Sequence, residues 1–98
     1  MLRLVGLWTE AADVDAFDRE YLGSHFPQVQ SLAGARGATT CRCIDGPYFR
    51  MTEVLFHSLD DIHTALEATA GKQLLDDAST LAQKYGIRLD VLVVAEAN

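Results

Sequence analysis

Residues 46–57 read GPYFRMTEVLFH, and this stretch decides the fold. Gly46 and Pro47, following Asp45, are turn formers, and the β-branched and aromatic residues after them are those enriched in strands. The pattern predicts a strand over 48–57 entered from a turn at 45–47. Successive side chains of a strand point to opposite faces, so Thr52, Val54 and Phe56 share one face while Met51, Glu53 and Leu55 share the other. Both faces are partly apolar. Upstream, the small-residue run ARGATTCRCI at 35–44 supplies the second arm of a hairpin.

Working outward, Ser58 followed by Asp61 caps a helix whose apolar face continues through Ile62, Ala65, Leu66 and Thr69. Gly71 is expected to end or bend it. Leu74, Ala78, Leu81 and Tyr85 form a further helical stripe, Gly86 suits the position just past a helix end, and IRLDVLVVAE at 87–96 reads as the last strand. At the other end, residues 2–9 alternate as a strand. Asp13 then caps a helix, with Asp15 near its positive end and Val14, Phe17 and Tyr21 on one stripe. Gly23, Ser24 and Pro27 are expected to kink or break this helix, with Ser24 capping a second short segment through Val29 and Leu32 to Gly34. The order is β-α-β-β-α-β, the ferredoxin-like α+β arrangement with a four-stranded antiparallel sheet, in a single domain spanning 1–98.

Helices can cover only one face of such a sheet, yet in the last strand Val91 and Val93 oppose Leu92 and Val94. The second face needs a cover, and an identical sheet is the simplest one. A 98-residue chain also buries a low fraction of its surface and gains from pairing. The expected assembly is a homodimer through the sheet faces, a dimeric α+β barrel; the alternative is a monomer with an apolar open face.

The net charge is −6 and the eight Lys and Arg are scattered singly, so no basic stripe invites nucleic acid. No apolar run approaches the roughly 18 residues of a membrane span. The chain opens directly on a strand with no visible leader, so the cytoplasm is the expected compartment. Cys41 and Cys43 are read as free thiols on one strand face, since C-x-C alone does not make a metal site. His57 and His63 lack the i, i+4 spacing of a helical metal pair and are read as surface residues. Nucleotide, flavin and haem motifs are absent, so no cofactor is expected.

Two residues stand out for chemistry. His25 lies at the expected helix break beside Ser24 and Pro27, where an imidazole could reach a cleft as general acid or base; it could equally cap and pack the broken helix. Glu53 faces away from Phe56, hence toward the barrel interior with Met51 and Leu55. It would either be a carboxylate with a raised pKa in an apolar pocket or a partner of Arg3, Arg42 or Arg88. Trp8 and Tyr48 are either pocket walls or ordinary core.

The segment YLGSHFPQVQSLAG at 21–34, the hairpin GPYFRMTEVLFHSLDDIHTAL at 46–66 and the stretch GKQLLDDASTLAQKYGI at 71–87 together resemble the EthD family of the dimeric α+β barrel superfamily. Shared features are an aromatic-rich helix with a His and a Pro two positions later, an aromatic third strand with a Glu, and an Asp-containing helix ending in a Gly turn. Ala33-Gly34 stands where many relatives have Pro-Gly. The resemblance implies a homodimer with a pocket for a small hydrophobic or aromatic molecule, in settings such as xenobiotic oxidation or polyketide tailoring. It is compatible with a cofactor-independent enzyme, of monooxygenase or proton-transfer isomerase type, acting on an aromatic, quinonoid or lactone-like compound. It is also compatible with a non-catalytic binding or accessory module, or with an interaction protein lacking a cavity.

Overall fold

A computed structural model describes residues 1–96. The strands are β1 (Leu2–Thr9), β2 (Gly37–Arg42), β3 (Tyr48–Phe56) and β4 (Leu89–Ala95); the helices are α1 (Val14–Glu20), α2 (Phe26–Gln30), α3 (Leu59–Glu67) and α4 (Thr69–Tyr85). The sheet order is β2-β3-β1-β4 and every pairing is antiparallel. The ferredoxin-like α+β architecture is therefore present, with β2 and β4 each somewhat shorter than the expected 35–44 and 87–96.

Three of the expected caps, at Asp13, Ser58 and Gly86, are present. The Asp13 carboxylate accepts the Ala16 N–H at 3.1 Å, the Ser58 hydroxyl accepts the Asp61 N–H at 3.1 Å, and Gly86 closes α4 in the left-handed conformation, φ 64°. Of the kink or break expected in the first helix, the break does not occur. Between α1 and α2 the chain stays helical through a π turn, Tyr21–His25, in which the Phe26 N–H bonds the Tyr21 carbonyl five residues back. A proline inside an α-helix collides with the carbonyl four residues earlier, here Gly23; the wider turn relieves this and leaves Pro27 in the first turn of α2, where its missing N–H costs little. Ser24 makes no cap. Its carbonyl instead accepts from the Gln28 side chain at 3.3 Å.

Gly71 does not end a helix either. α3 stops at Ala68, whose ψ of 159° is extended, and Gly71 sits in the first turn of α4 directly against the Ala65 carbonyl.

The cross-strand register places side chains in rows. On the helix-covered face Leu4 lies between Val54 and Val93, Gly6 between Thr52 and Val91, and Trp8 between Arg50 and Leu89. On the open face Arg3 lies between Leu55 and Val94, Val5 between Glu53 and Leu92, and Leu7 between Met51 and Asp90. The core under the helices is split in two. One cluster gathers Trp8, Phe17, Tyr21, Phe49 and Leu81; the other gathers Val29, Leu32, Phe56, Ile62 and Leu74. Gly6, with no side chain, lies in the row between them.

Candidate functional site

The gap between the two clusters is a cavity of about 80 Å³ between sheet and helices. Its floor is Gly6 with Thr52 and Val91, its walls include Trp8, Leu74 and Leu89, and His25 and Tyr21 reach it from the π turn. Most of the lining is apolar. A Cβ on Gly6 would meet only the Leu89 Cδ1 at 3.4 Å, so the missing side chain leaves room at the cavity floor.

His25 is 4 % exposed and hydrogen-bonds through Nδ1 to the Asp77 carboxylate of α4 at 2.7 Å. Gln28 Nε2 also donates to that carboxylate, at 3.4 Å. The imidazole stands edge-to-face with Trp8, ring centroids 5.7 Å apart, and lies 5.2 Å from the Tyr21 ring. With Nδ1 committed, Nε2 has no hydrogen bond among the described residues and remains the nitrogen available to a ligand. A carboxylate behind one imidazole nitrogen orients the ring and fixes the tautomer, leaving the other nitrogen's lone pair for a ligand, the arrangement of a general base.

The Tyr21 hydroxyl hydrogen-bonds Thr52 Oγ1, which contacts Thr40 Oγ1 at 2.9 Å; Arg50 donates to Thr40 Oγ1 at 3.0 Å and to Asp18 Oδ1 at 3.1 Å. Arg50 is buried and its guanidinium carbon lies 5.4 Å over the Tyr21 ring. Burial pushes the Tyr21 phenol above its ordinary pKa, the neighbouring Thr52 and Thr40 hydroxyls and the Arg50 charge opposing it. The phenol is thus held neutral.

The other sequence candidates are dispersed. Trp8 serves both as core and as cavity wall. Glu53, Met51 and Leu55 share the open face and do not line the cavity; Glu53 is 3.9 Å from Arg3, while Arg42 pairs with Asp18 and Arg88 with Asp90. Tyr48 is not at the cavity, and its hydroxyl donates to Asp90 at 2.6 Å. Arg88 first, and Tyr48 second, hold the Asp90 carboxyl below its usual range. Cys41 and Cys43 are free thiols, Cys41 exposed and Cys43 half-buried beyond the end of β2. His57 and His63 are exposed. Among the described residues no cluster of three or more His, Cys, Asp or Glu is placed to hold a metal ion, and no helix is long and apolar enough to cross a membrane.

Sequence reasoning did not single out Asp77, Thr52, Arg50 or Gly6. One signal was present for Asp77, an acid adjoining the apolar stripe Leu74, Ala78, Leu81, although its partner lies 52 residues away.

No family profile and no curated protein sequence matches the chain. Solved structures do. An ethyl tert-butyl ether d (EthD) family protein from Bacillus halodurans superposes with a TM-score of 0.90 at 24% identity, covering 99% of both chains. A dabb family protein with a ferredoxin-like fold from Mesorhizobium loti gives 0.78 at 9% identity, covering 99% of this chain and 97% of that one. SnoaB, a cofactor-independent oxygenase from Streptomyces nogalater, gives 0.71 at 11% identity, covering 99% of this chain and 93% of that one. The resemblance to the EthD family carried by the motifs at 21–34, 46–66 and 71–87 is thus matched over the whole chain by an EthD family structure.

Proposed function

We propose that this chain pairs through its open sheet face into a homodimeric α+β barrel, and that each copy binds a small apolar or aromatic molecule between sheet and helices and removes a proton from it with His25. The observation that carries the reading is the hydrogen bond between the buried His25 and the half-buried Asp77 beside an otherwise apolar cavity. Proton removal from an activated carbon leaves a carbanion. Returned elsewhere, the proton completes an isomerisation; passed to dioxygen, the electrons begin an oxygenation. The cofactor-independent oxygenase among the structures of similar fold supports the second course. Neither course needs an organic cofactor. The apolar lining also favours a second reading, a binding or accessory module that holds such a molecule for another enzyme.

The cavity is tested by Gly6→Val. Valine suits a strand, and its Cβ would meet only the tip of the flexible Leu89 side chain. The expected result is a melting temperature equal to or above the native one, with binding of small aromatic acids, quinones and lactones abolished by calorimetry. Undiminished binding would move the ligand site elsewhere.

Pairing is supported by the open face itself, where Val5, Leu7, Met51, Leu55, Leu92 and Val94 form an apolar field around Glu53 and Arg3. Leu55→Arg should place unpaired charge within that interface and yield monomer or aggregate in sedimentation velocity. A native chain that sediments as a monomer at micromolar concentration removes the barrel.

A further inference from the structure

The direction of the buried hydrogen-bond chain under the cavity specifies what the cavity offers a ligand. Arg50 has only donors, so the Thr40 oxygen accepts from it and the Thr40 proton must point onward. It has two acceptors within reach, the Met51 carbonyl at 3.2 Å and Thr52 Oγ1 at 2.9 Å. If the Thr40 proton goes to Thr52, the Thr52 proton goes to the Tyr21 oxygen, and the Tyr21 proton is left for the cavity. If it goes to Met51, every hydroxyl reverses and Tyr21 presents lone pairs instead. Arg50, although paired with Asp18, favours the first arrangement: a guanidinium at one end of a row of hydroxyls turns their oxygens toward it and their protons away, and neighbouring bonds polarise one another in the same sense. The protons therefore run from Arg50 to the cavity.

We propose that Tyr21 is an oxygen-binding donor, and that the cavity takes enolisable carbonyl compounds with a flat apolar body, the carbonyl oxygen on Tyr21 and the adjacent C–H on His25. The proposal rests on the reading of His25 as the base. The step balances within the site. The C–H bond breaks, its proton goes to His25 Nε2, its electron pair becomes the enolate C=C bond, and the carbonyl π pair moves to the oxygen. That oxygen, now an enolate, accepts the Tyr21 O–H, while Asp77 stabilises the imidazolium. Tyr21 and His25 are four residues apart across the π turn, which sets both groups on the cavity. Donors fixed before charge develops cost no reorganisation when it appears.

Acetophenone in D₂O tests this without knowledge of the natural substrate, because exchange of its methyl protons, followed by NMR, reads enolisation directly. Native protein should accelerate exchange over buffer, and Tyr21→Phe should lower that acceleration by ~10²-fold to 10³-fold. Binding of ethylbenzene, which lacks the oxygen, should be the same in both. Thr52→Val, which cuts Tyr21 from the Arg50 network but keeps the phenol, should fall in between and serves if Tyr21→Phe does not fold. Exchange as fast as native in either folded variant, with His25→Asn inactive, overturns the Tyr21 assignment and leaves the His25 reading standing. Native protein that binds neither compound, or binds acetophenone without accelerating exchange, overturns the ligand class; in the latter case, undiminished binding of the aromatic panel would still support the accessory-module reading.

Discussion

Gly71→Ala should lower the melting temperature by about 10–25 °C, the conversion for a domain of this size of a loss of about 3 kcal/mol. The substitution adds a single methyl group, and elsewhere in a helix alanine is the better residue. At this position the new Cβ would lie 2.0 Å from the Ala65 carbonyl oxygen and 2.7 Å from the Leu66 Cα. Both are backbone atoms of the last turns of α3, so no rotamer change relieves the collision. One of the two helices must move, and each contributes to the apolar cluster that holds Ile62, Ala65 and Leu74. Chemical or thermal unfolding followed by circular dichroism checks the expectation. A variant melting within two or three degrees of native would show that the α3–α4 corner is loosely packed.

The other large effect is expected on turnover. His25→Asn should reduce any proton-transfer rate by ~10²-fold to 10⁴-fold, since asparagine can occupy the hydrogen bond to Asp77 but cannot accept a proton. Some stability should be lost as well, because the ring packs against Trp8 and Tyr21 and asparagine fills less of that space. Thermal unfolding and turnover must therefore be measured on one sample. A fall of that size in the rate per folded molecule, beside only a modest loss in the melt, assigns the imidazole to chemistry. A lowered melt with undiminished activity per folded molecule makes His25 a packing residue and returns the cavity to the binding-module reading. Asp77→Asn provides the companion measurement: loss of the charge behind the imidazolium should also slow proton removal, with little change in the packing around it.

Strand positions and helix caps were readable because their causes are local. Alternation in 48–57, the side chains of Asp13 and Ser58, and the glycine at 86 each act within a few residues of themselves. The π turn was half readable: Gly23, Ser24 and Pro27 signalled trouble for an α-helix, but the widened turn that resolves it depends on where the Tyr21 and His25 rings pack. Gly71 carried a signal for backbone freedom, whereas its use is close approach, which depends on a neighbouring helix. The cavity was hardest to foresee. Sequence reasoning looks for side chains that could line a pocket and found Glu53, Met51 and Leu55 on the open face; the gap in the single chain lies on the other face, with the side-chain-free Gly6 on its floor. Its acid–base pair joins residues 25 and 77, a separation that no local pattern encodes.

Strand β4 forms one edge of the sheet, and Val91, Leu92, Val93 and Val94 are 53, 47, 46 and 39 % exposed. An uncharged, proline-free run of β-branched and aliphatic residues on an unpaired edge is a template for cross-β growth. The flanking charges that would act as gatekeepers are engaged: Asp90 is held by Arg88 and Tyr48, and Glu96 by Arg3. This edge is therefore a site at which one chain can seed aggregation of another. Aggregation through β4 should accordingly rise steeply with the protein's concentration, since each step of growth needs a second chain.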